Sequence, residues 1–289
     1  MNDLELDGDS TALEIWIDRD ADNSVDEPTL LAAGSFRWRH GPTRVHVHRR
    51  HVGIYGQWMA TWRPRNPSTA ETALLLEDDL SLSPFAYRWL RAARRFYADR
   101  RDLAGFTLQS EGLIRATGGG PFQAPPAVDG AAFLYALVGS WGFAPRADVW
   151  IGFQNWYAGV VATAGRGGHT MRPIVRGLIM SNWYEIFERQ KKANTMWTMW
   201  FIYYCSTEAH AGGGQLYTVY NNVHQIAAVL PSTANDGRYI CFNRRESGLH
   251  YHRKSGDEDP LPKLLRTWRP EFQKFSSHPP MFNYGGQHV

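Results

Sequence analysis

The stretch 72–97 constrains the fold most, because it joins an apolar run, an acidic cluster and an amphipathic segment. The run ALLL at 73–76 predicts a buried strand. The strand ends in three consecutive acids, Glu77, Asp78 and Asp79. Ser83 and Pro84 then predict a helix start, with serine as N-cap and proline in the first turn. Ligands of open α/β sheets bind at the carboxyl ends of strands, so the acids occupy a favourable position for a site.

The segment after Pro84 has the periodicity of an amphipathic helix. Its apolar side chains recur at helical spacing, and its arginines fall largely on the other side. The apolar set is Phe85, Trp89, Ala93, Phe96 and Tyr97, and the basic set is Arg88, Arg91, Arg94 and Arg95. The acids before this helix have two interpretations. They could hold a hard divalent cation, which prefers oxygen ligands, or they could favour the helix dipole.

Composition is compatible with a single α/β domain that has a sizeable core. The 289 residues fall within the range of one such domain, and 43% of them are hydrophobic. The 12 tryptophans suit either a large core or a sugar-binding surface. A net charge of +3 does not call for nucleic acid as a partner, and Cys205 and Cys241 do not require a disulfide.

The remaining pattern alternates strands and helices. Segment 1–10 is acidic and polar, and we expect it to be disordered, with no signal peptide. No apolar run reaches about 18 residues, so no transmembrane span is predicted. Strands are expected at 13–18, 43–48, 104–108, 131–138 and 216–220. Helices are expected at 27–33, 53–61 and 147–157, and another is expected to begin after an N-cap at Ser181. A further helix is expected at 196–205, and it should be buried because it is apolar on all sides.

Two basic groups have alternative interpretations. His46, His48 and His51 could form a metal cluster, or they could lie on a solvated strand face. Arg63 and Arg65 could contact a diphosphate or simply lie in a solvated loop.

The acidic stretch resembles the acidic-motif region of GT-A glycosyltransferases. It is most similar to the N-acetylglucosaminyltransferase I type and to family 2-like proteins, in which E-D-D follows a strand and S/A-P-x-F/Y opens the next helix. The segment GIYGQWMATWRP at 53–64 also resembles the helix that precedes the acidic strand in that family. The likeness covers roughly residues 10 to 255.

The resemblance implies an α/β fold of the GT-A type, a mixed sheet with flanking helices. The domain would span 11–255, with a C-terminal tail at 256–289 packed on it. The strand LEIWID at 13–18 would be the family's second strand, so we expect the fold to lack the first. The family's enzymes imply a Golgi location if an N-terminal anchor is missing from this chain, and a cytoplasmic one otherwise.

The function that the resemblance implies is transfer of a sugar from a nucleotide-sugar donor to a hydroxyl of a glycan, lipid or protein acceptor. Asp79 would bind Mn²⁺ or Mg²⁺ with help from Asp78. Glu77 would face the nucleotide ribose or the water shell of the metal. His250 would correspond to the late histidine that returns to the metal in several such families.

The other residues that the resemblance implicates lie outside the acidic stretch. Trp141 would stack on a sugar face, unless it is a core tryptophan. Arg63 and Arg244 would contact the diphosphate. Glu185 is the candidate general base and Glu246 the reserve. Two other functions stay open: a non-catalytic carbohydrate-binding protein, and a metal-dependent hydrolase that uses Asp78, Asp79 and His250.

Overall fold

A computed structural model describes residues 1–65, 71–109, 114–115, 122–123, 131–165, 171–208, 214–221, 227–229, 238–240, 250–252 and 274–289. The candidates Glu246 and Arg244, together with Cys241, lie outside these residues. The described helices are α1 (Glu27–Ser35), α2 (Gly53–Ala60), α3 (Ala86–Phe96), α4 (Ala147–Gly165), α5 (Ile179–Arg189) and α6 (Trp197–Thr207), with a 3₁₀ helix at Ala193–Thr195. None of them has the length and apolar character needed to cross a membrane.

The strands form a mixed α/β architecture. They are β1 (Leu13–Ile17), β2 (Thr43–Val47), β3 (Leu80–Leu82), β4 (Leu103–Thr107), β5 (Ile114–Arg115), β6 (Phe122–Gln123), β7 (Phe133–Tyr135), β8 (Phe143–Pro145), β9 (Tyr217–Tyr220), β10 (Ala227–Val229), β11 (Arg238–Ile240), β12 (His250–His252) and β13 (Met281–Phe282). The largest sheet has five strands in the order β13-β7-β9-β4-β8. It is mixed, because β4 runs parallel to β9 and β13 parallel to β7, whereas the other pairs are antiparallel.

Strands β1 and β2 are parallel and form a sheet of their own, joined by α1. Asp26 caps α1 by accepting the Thr29 N–H. Asp18, directly after β1, accepts the N–H groups of Val52 and Gly53 at 2.8 and 2.7 Å. It therefore ties the end of β1 to the start of α2. A four-stranded sheet, β12-β11-β10-β3, and the β5–β6 hairpin complete the described strands.

The core lies on both sides of the five-stranded sheet. Helix α3 packs Trp89 and Ala93 against strands β4 and β7, while α4 and α6 form an aromatic cluster around Trp150 and Phe201. Helix α6 is buried on opposite sides, as its uniformly apolar sequence predicts: Phe201 packs beside α4, and Met199 packs toward β7 and β9.

The acidic stretch folds differently from our expectation. Only Leu75 of the apolar run pairs, through a bridge to Phe143, and the run is half-buried. Strand β3 lies between the acids and the helix. Helix α3 begins at Ala86, with Phe85 at the N-cap. The Ser83 hydroxyl accepts the Phe85 N–H in the preceding turn, so Ser83 was wrongly predicted as the N-cap.

The N-terminal segment 1–10, which we expected to be disordered, packs on α3. Leu4 and Leu6 are buried in the core cluster that contains Trp89. Arg88 and Arg91 of α3 bind three of the four acids of the segment, which are Glu5, Asp7 and Asp9. Acidity therefore does not leave this segment free, because the basic face of α3 supplies complementary charge.

Candidate functional site

A row of paired residues crosses the five-stranded sheet and defines the site. It consists of Leu75, Phe143, Thr107, Tyr220 and Phe133, each in register with the next. Because β8 is antiparallel to both β4 and the Leu75 segment, that segment, β4 and β9 all run in the same direction. Their carboxyl ends therefore meet at one edge of the sheet.

We call this place the acidic edge, defined by Glu77–Asp79, Gln109, Trp141 and Asn221. Glu77 lies two residues beyond Leu75, and Gln109 two residues beyond Thr107. Trp141 precedes Phe143 by two residues, and Asn221 directly follows β9. The pairing of Leu75 with Phe143 thus brings Trp141 to the same edge of the sheet as the acids, although it lies 62 positions after Asp79 in the chain.

Glu77 lies on the inner side of the acidic edge. Burial raises the pKa of its carboxyl from 4.5 to about 7, and the charge of Asp79 adds to the shift. A hydrogen bond with Trp58 of α2 acts in the opposite direction. Trp58 itself is buried and stacks on Trp197 with ring centroids 4.1 Å apart. The carboxyl group is therefore anchored on a rigid aromatic pair.

Asp79 has a carboxylate oxygen whose hydrogen-bonding capacity is unused within the described residues. Its Oδ1 is buried and has no hydrogen-bond partner in the part of the chain that the structure describes. Burial and the charge of Asp78 raise the pKa of its carboxyl. A buried, unpaired carboxylate oxygen is costly, and a cation beside it would remove that cost. The donor set suits a hard ion that prefers oxygen.

Protein side chains alone do not complete a metal site here. Across the described residues, no group of three or more His, Cys, Asp or Glu side chains is placed to hold an ion. A bound Mg²⁺ often uses only one or two carboxylates and takes its other ligands from waters and substrate phosphates. The acidic edge fits that second kind of site.

The turn that contains Trp141 is held in place by contacts with β4 and the residue after it. The Thr107 hydroxyl donates to the Trp141 carbonyl at 3.5 Å. Gly142 has φ of +71°, and a Cβ there would lie 2.7 Å from Leu108 Cδ1, so only glycine fits. The Asn221 amide donates to the Leu108 carbonyl from the next strand. The indole of Trp141 is half-buried.

Our sequence reasoning missed Trp58, Thr107, Gln109 and Asn221. The last three follow or end predicted strands, and polar residues at strand ends are a usable signal. Trp58 carried no such signal, since its contact with Glu77 links two elements that are remote in sequence.

Arg63 lies just beyond α2. Its guanidinium donates to Asn155 Oδ1 of α4 at 2.7 Å, and the residue is exposed. This contact orients the arginine without neutralising it. No described contact joins Arg63 to the acids of the acidic edge.

Glu185 lies on α5, away from the helix start. Helix α5 begins at Ile179 with Leu178 as N-cap, so Glu185 is its seventh residue, and the dipole effect of the first turn does not reach it. Ser181 is not the cap; its hydroxyl exchanges hydrogen bonds with the Val175 backbone. Glu185 forms an ion pair with Arg172 at 3.5 Å. No described contact joins it to the acidic edge.

His250 lies in β12, in the same row as Leu80. The row runs from Leu80 through Val229 and Ile240 to His250. Three strand spacings separate its ends, which is about 14 Å at about 4.8 Å per spacing. That backbone separation is too long for His250 to share a metal ion readily with Asp79.

The three early histidines have different polar partners, although the ring of Trp16 lies beside both His46 and His48. His48 is buried, and its Nε2 lies 2.5 Å from Gln57 Oε1. His46 stacks on Trp16 with centroids 4.2 Å apart. His51 lies 3.2 Å from Asp18. They therefore form no common cluster, and His48 does not lie on a solvated face.

Comparison of the chain with protein-family models, with curated proteins and with solved structures found no match.

Proposed function

We propose that this protein is a GT-A-like glycosyltransferase, which transfers a sugar from a nucleotide-sugar donor to a hydroxyl acceptor with the help of a divalent metal ion. The observation that carries the proposal is the Oδ1 of Asp79, which is buried and has no hydrogen-bond partner among the described residues. It lies in a Glu-Asp-Asp run at the carboxyl edge of a mixed sheet. Such edges are where α/β folds bind ligands.

Asp79 and Asp78 are the proposed ligands of Mn²⁺ or Mg²⁺. When bound, the ion offsets the negative charge that develops on the diphosphate leaving group. Glu77 would contact the ribose or the water shell of the ion. With Asp78 and Asp79 as protein ligands, a bound ion would take further oxygen ligands from the phosphates of the donor.

The donor would extend from the acids along the acidic edge. Trp141 offers a half-buried aromatic face for the sugar. Arg63, exposed and oriented by Asn155, is the described candidate for the diphosphate, with Arg244 as a second. His250 is left out of the proposed metal site because of its distance along the sheet.

A transferase also needs a group that accepts the proton of the acceptor hydroxyl. Glu185 remains our candidate. Its carboxylate is 43% exposed, so an acceptor can reach it, and Arg172 holds it in place. Glu246 is the alternative.

The proposal is tested by release of nucleoside diphosphate from a panel of nucleotide sugars in the presence of Mn²⁺. A transferase releases the diphosphate only when an acceptor hydroxyl is supplied. Release without acceptor would instead indicate a hydrolase. Donor binding without any release, across donors and acceptors, would indicate a carbohydrate-binding protein and refute the enzyme.

A further inference from the structure

The β1–β2 sheet has two edges of different character. In a parallel pair, alternate residues of each strand bond to the partner strand. The register of β1 against β2 fixes this alternation, together with the bonds from Leu13 N–H to Pro42 O and from His48 N–H to Ile17 O. The N–H and C=O groups of Thr43, Val45 and Val47 therefore point away from β1.

The outer edge of β1 is partly closed. Its Trp16 carbonyl points away from β2 and accepts the Gln57 Nε2–H of α2 at 3.0 Å. In the described part of the chain, no strand pairs with the outer edge of β2. Within the described residues, the outward backbone groups of Val45 and Val47 have no hydrogen-bond partner. Val45 is also 36% exposed.

Positive charge surrounds this open edge. Arg44 lies within β2 with 59% of its side chain exposed. Arg49 and Arg50 come one residue after the end of the strand, and both are exposed. Neither has an ion-pair partner in the described part of the chain. Glu14 contacts Arg44 at 3.1 Å, and it is the only acid among the described residues that pairs with one of these three arginines.

We propose that the outer edge of β2 binds an extended acidic segment of another protein by strand addition. In this mode, backbone hydrogen bonds supply affinity, and alternate side chains supply specificity. Valine-like side chains of the partner would pack beside Val45, and its carboxylates would meet Arg44, Arg49 and Arg50. The inference is independent of the proposed glycosyl transfer, since none of these residues belongs to the acidic edge.

The charge pattern disfavours a second copy of this chain as the occupant. Two β2 edges in contact would place arginines of one copy near arginines of the other. Charged side chains on an edge strand are a known defence against such self-pairing. An acidic partner turns the same charges into attraction, which is how one surface can reject one occupant and accept another.

The test is fluorescence anisotropy of a short labelled peptide in which valine or threonine alternates with glutamate. We expect saturable binding to the full chain that weakens with salt. A peptide with lysine in place of glutamate should not bind. Methylating the peptide's backbone nitrogens that face the strand should weaken binding by about tenfold or more. Amide exchange at Val45 and Val47 should slow when the peptide is added.

Variants of the protein locate the site. Val45→Pro removes only an outward N–H and should lose about tenfold or more in affinity, while the matched Val45→Thr, which keeps the donor, should bind as wild type does. The double variant Arg49→Gln/Arg50→Gln should weaken binding and flatten its salt dependence. If Val45→Pro does not fold, as judged by circular dichroism, the methylated peptide and the amide exchange of the wild type still test whether the peptide binds by strand addition.

Three results would overturn the inference. One is equal binding of the methylated peptide. Another is equal binding of an unpatterned polyglutamate, which would mean that charge alone is recognised. The third is a wild-type dimer in light scattering that becomes a monomer with Val45→Pro, which would assign the edge to a second copy.

Discussion

At the scale of single residues, the acidic edge is a place where neighbouring carboxylates repel one another in the folded protein. Asp79 and Glu77 both have carboxyl pKa values raised by burial and by neighbouring carboxylates. When folding raises the pKa of a carboxyl group, ionisation of that group destabilises the folded state. Structural acids elsewhere behave oppositely: hydrogen bonds from Thr29 lower the pKa of Asp26. This contrast is typical of functional sites.

Replacing Asp79 with asparagine should separate stability from binding. Asp79→Asn removes a disfavoured charge, so the metal-free protein should have an equal or higher Tm. The same change should abolish Mn²⁺-dependent binding of a nucleotide sugar in calorimetric titration. Asp99→Asn, at an exposed acid after α3, is the control and should change neither quantity. Unchanged Mn²⁺ dependence in Asp79→Asn would remove Asp79 from the metal site.

The stability of the metal-free protein should fall between about pH 4.5 and about pH 7. The folded state keeps the proton on Glu77 up to about pH 7, whereas the unfolded chain releases it near 4.5. Stability falls with pH wherever the folded state binds more protons. Urea unfolding at several pH values should show this slope.

Glu77→Gln should flatten that slope, because glutamine does not titrate. The exposed Glu71 provides the matched control, and Glu71→Gln should leave the slope unchanged. A wild-type stability that rises steadily across the window would contradict the burial of Glu77.

The general base is tested by two glutamates of one helix. Glu185 and Glu188 both contact Arg172, at 3.5 and 2.6 Å. Glu185→Gln should lower kcat by about 10²–10⁴-fold and leave donor affinity unchanged, while Glu188→Gln should have little effect on either. Equal losses in the two variants would indicate that Arg172, and not Glu185, matters. If neither loses turnover, Glu246 becomes the candidate.

At the scale of elements, α3 and the N-terminal segment show which contacts hold a chain end in place. The segment offers two buried leucines and three acids to one helix. Arg91 binds Asp7 at 2.5 Å and Asp9 at 2.8 Å, and Tyr87 donates to Asp9 at 2.5 Å. Exposed ion pairs contribute little stability, whereas a buried leucine contributes several times more. The leucines should therefore dominate.

Leu6→Ala should lower the free energy of unfolding by about 2–4 kcal/mol, because Leu6 is only 5% exposed. Arg88→Gln should cost less than about 1 kcal/mol, and high salt should mask that loss. Chemical denaturation at low and high salt measures both. The opposite ranking would mean that charge, and not burial, attaches the segment.

At the scale of the whole molecule, the acidic edge is assembled by the sheet. Leu75, β4 and β9 belong to remote parts of the chain, and their ends converge because the register aligns one residue of each. Helix α2 links this edge to the β1–β2 sheet, through Trp58 on one side and the Asp18 bonds to its first turn on the other. A ligand bound at the acidic edge would therefore rest on residues that two sheets hold in place.

Mn²⁺ and a nucleoside diphosphate should stabilise the protein jointly. A site with too few protein ligands needs phosphate oxygens to bind the metal well, so each ligand should raise the affinity for the other. The Tm increase with both present should exceed the sum of the separate increases. The control is a nucleoside monophosphate, which offers fewer oxygens and should show weaker coupling. Strictly additive shifts would argue against a shared site.

Local patterns in the sequence predicted most of the helices and strands. The alternation in 13–18 and 43–48 correctly predicted β1 and β2, and the apolar stretch 196–205 correctly predicted the buried α6. It also placed three acids after a short extended segment. These are properties of neighbouring residues, and side-chain periodicity reports which face of an element is buried.

Three other features depend on contacts between remote parts of the chain: the start of α3, the packing of the N-terminal segment on it, and the composition of the acidic edge. Ser83 and Pro84 are compatible with a helix cap, but the pairing of β3 with β10 keeps the preceding residues extended. The alignment of Leu75 with Phe143 and Thr107 depends on ladders between remote strands. A shift of one residue in such a ladder would turn every side chain to the opposite face, and no local pattern in the chain encodes that register.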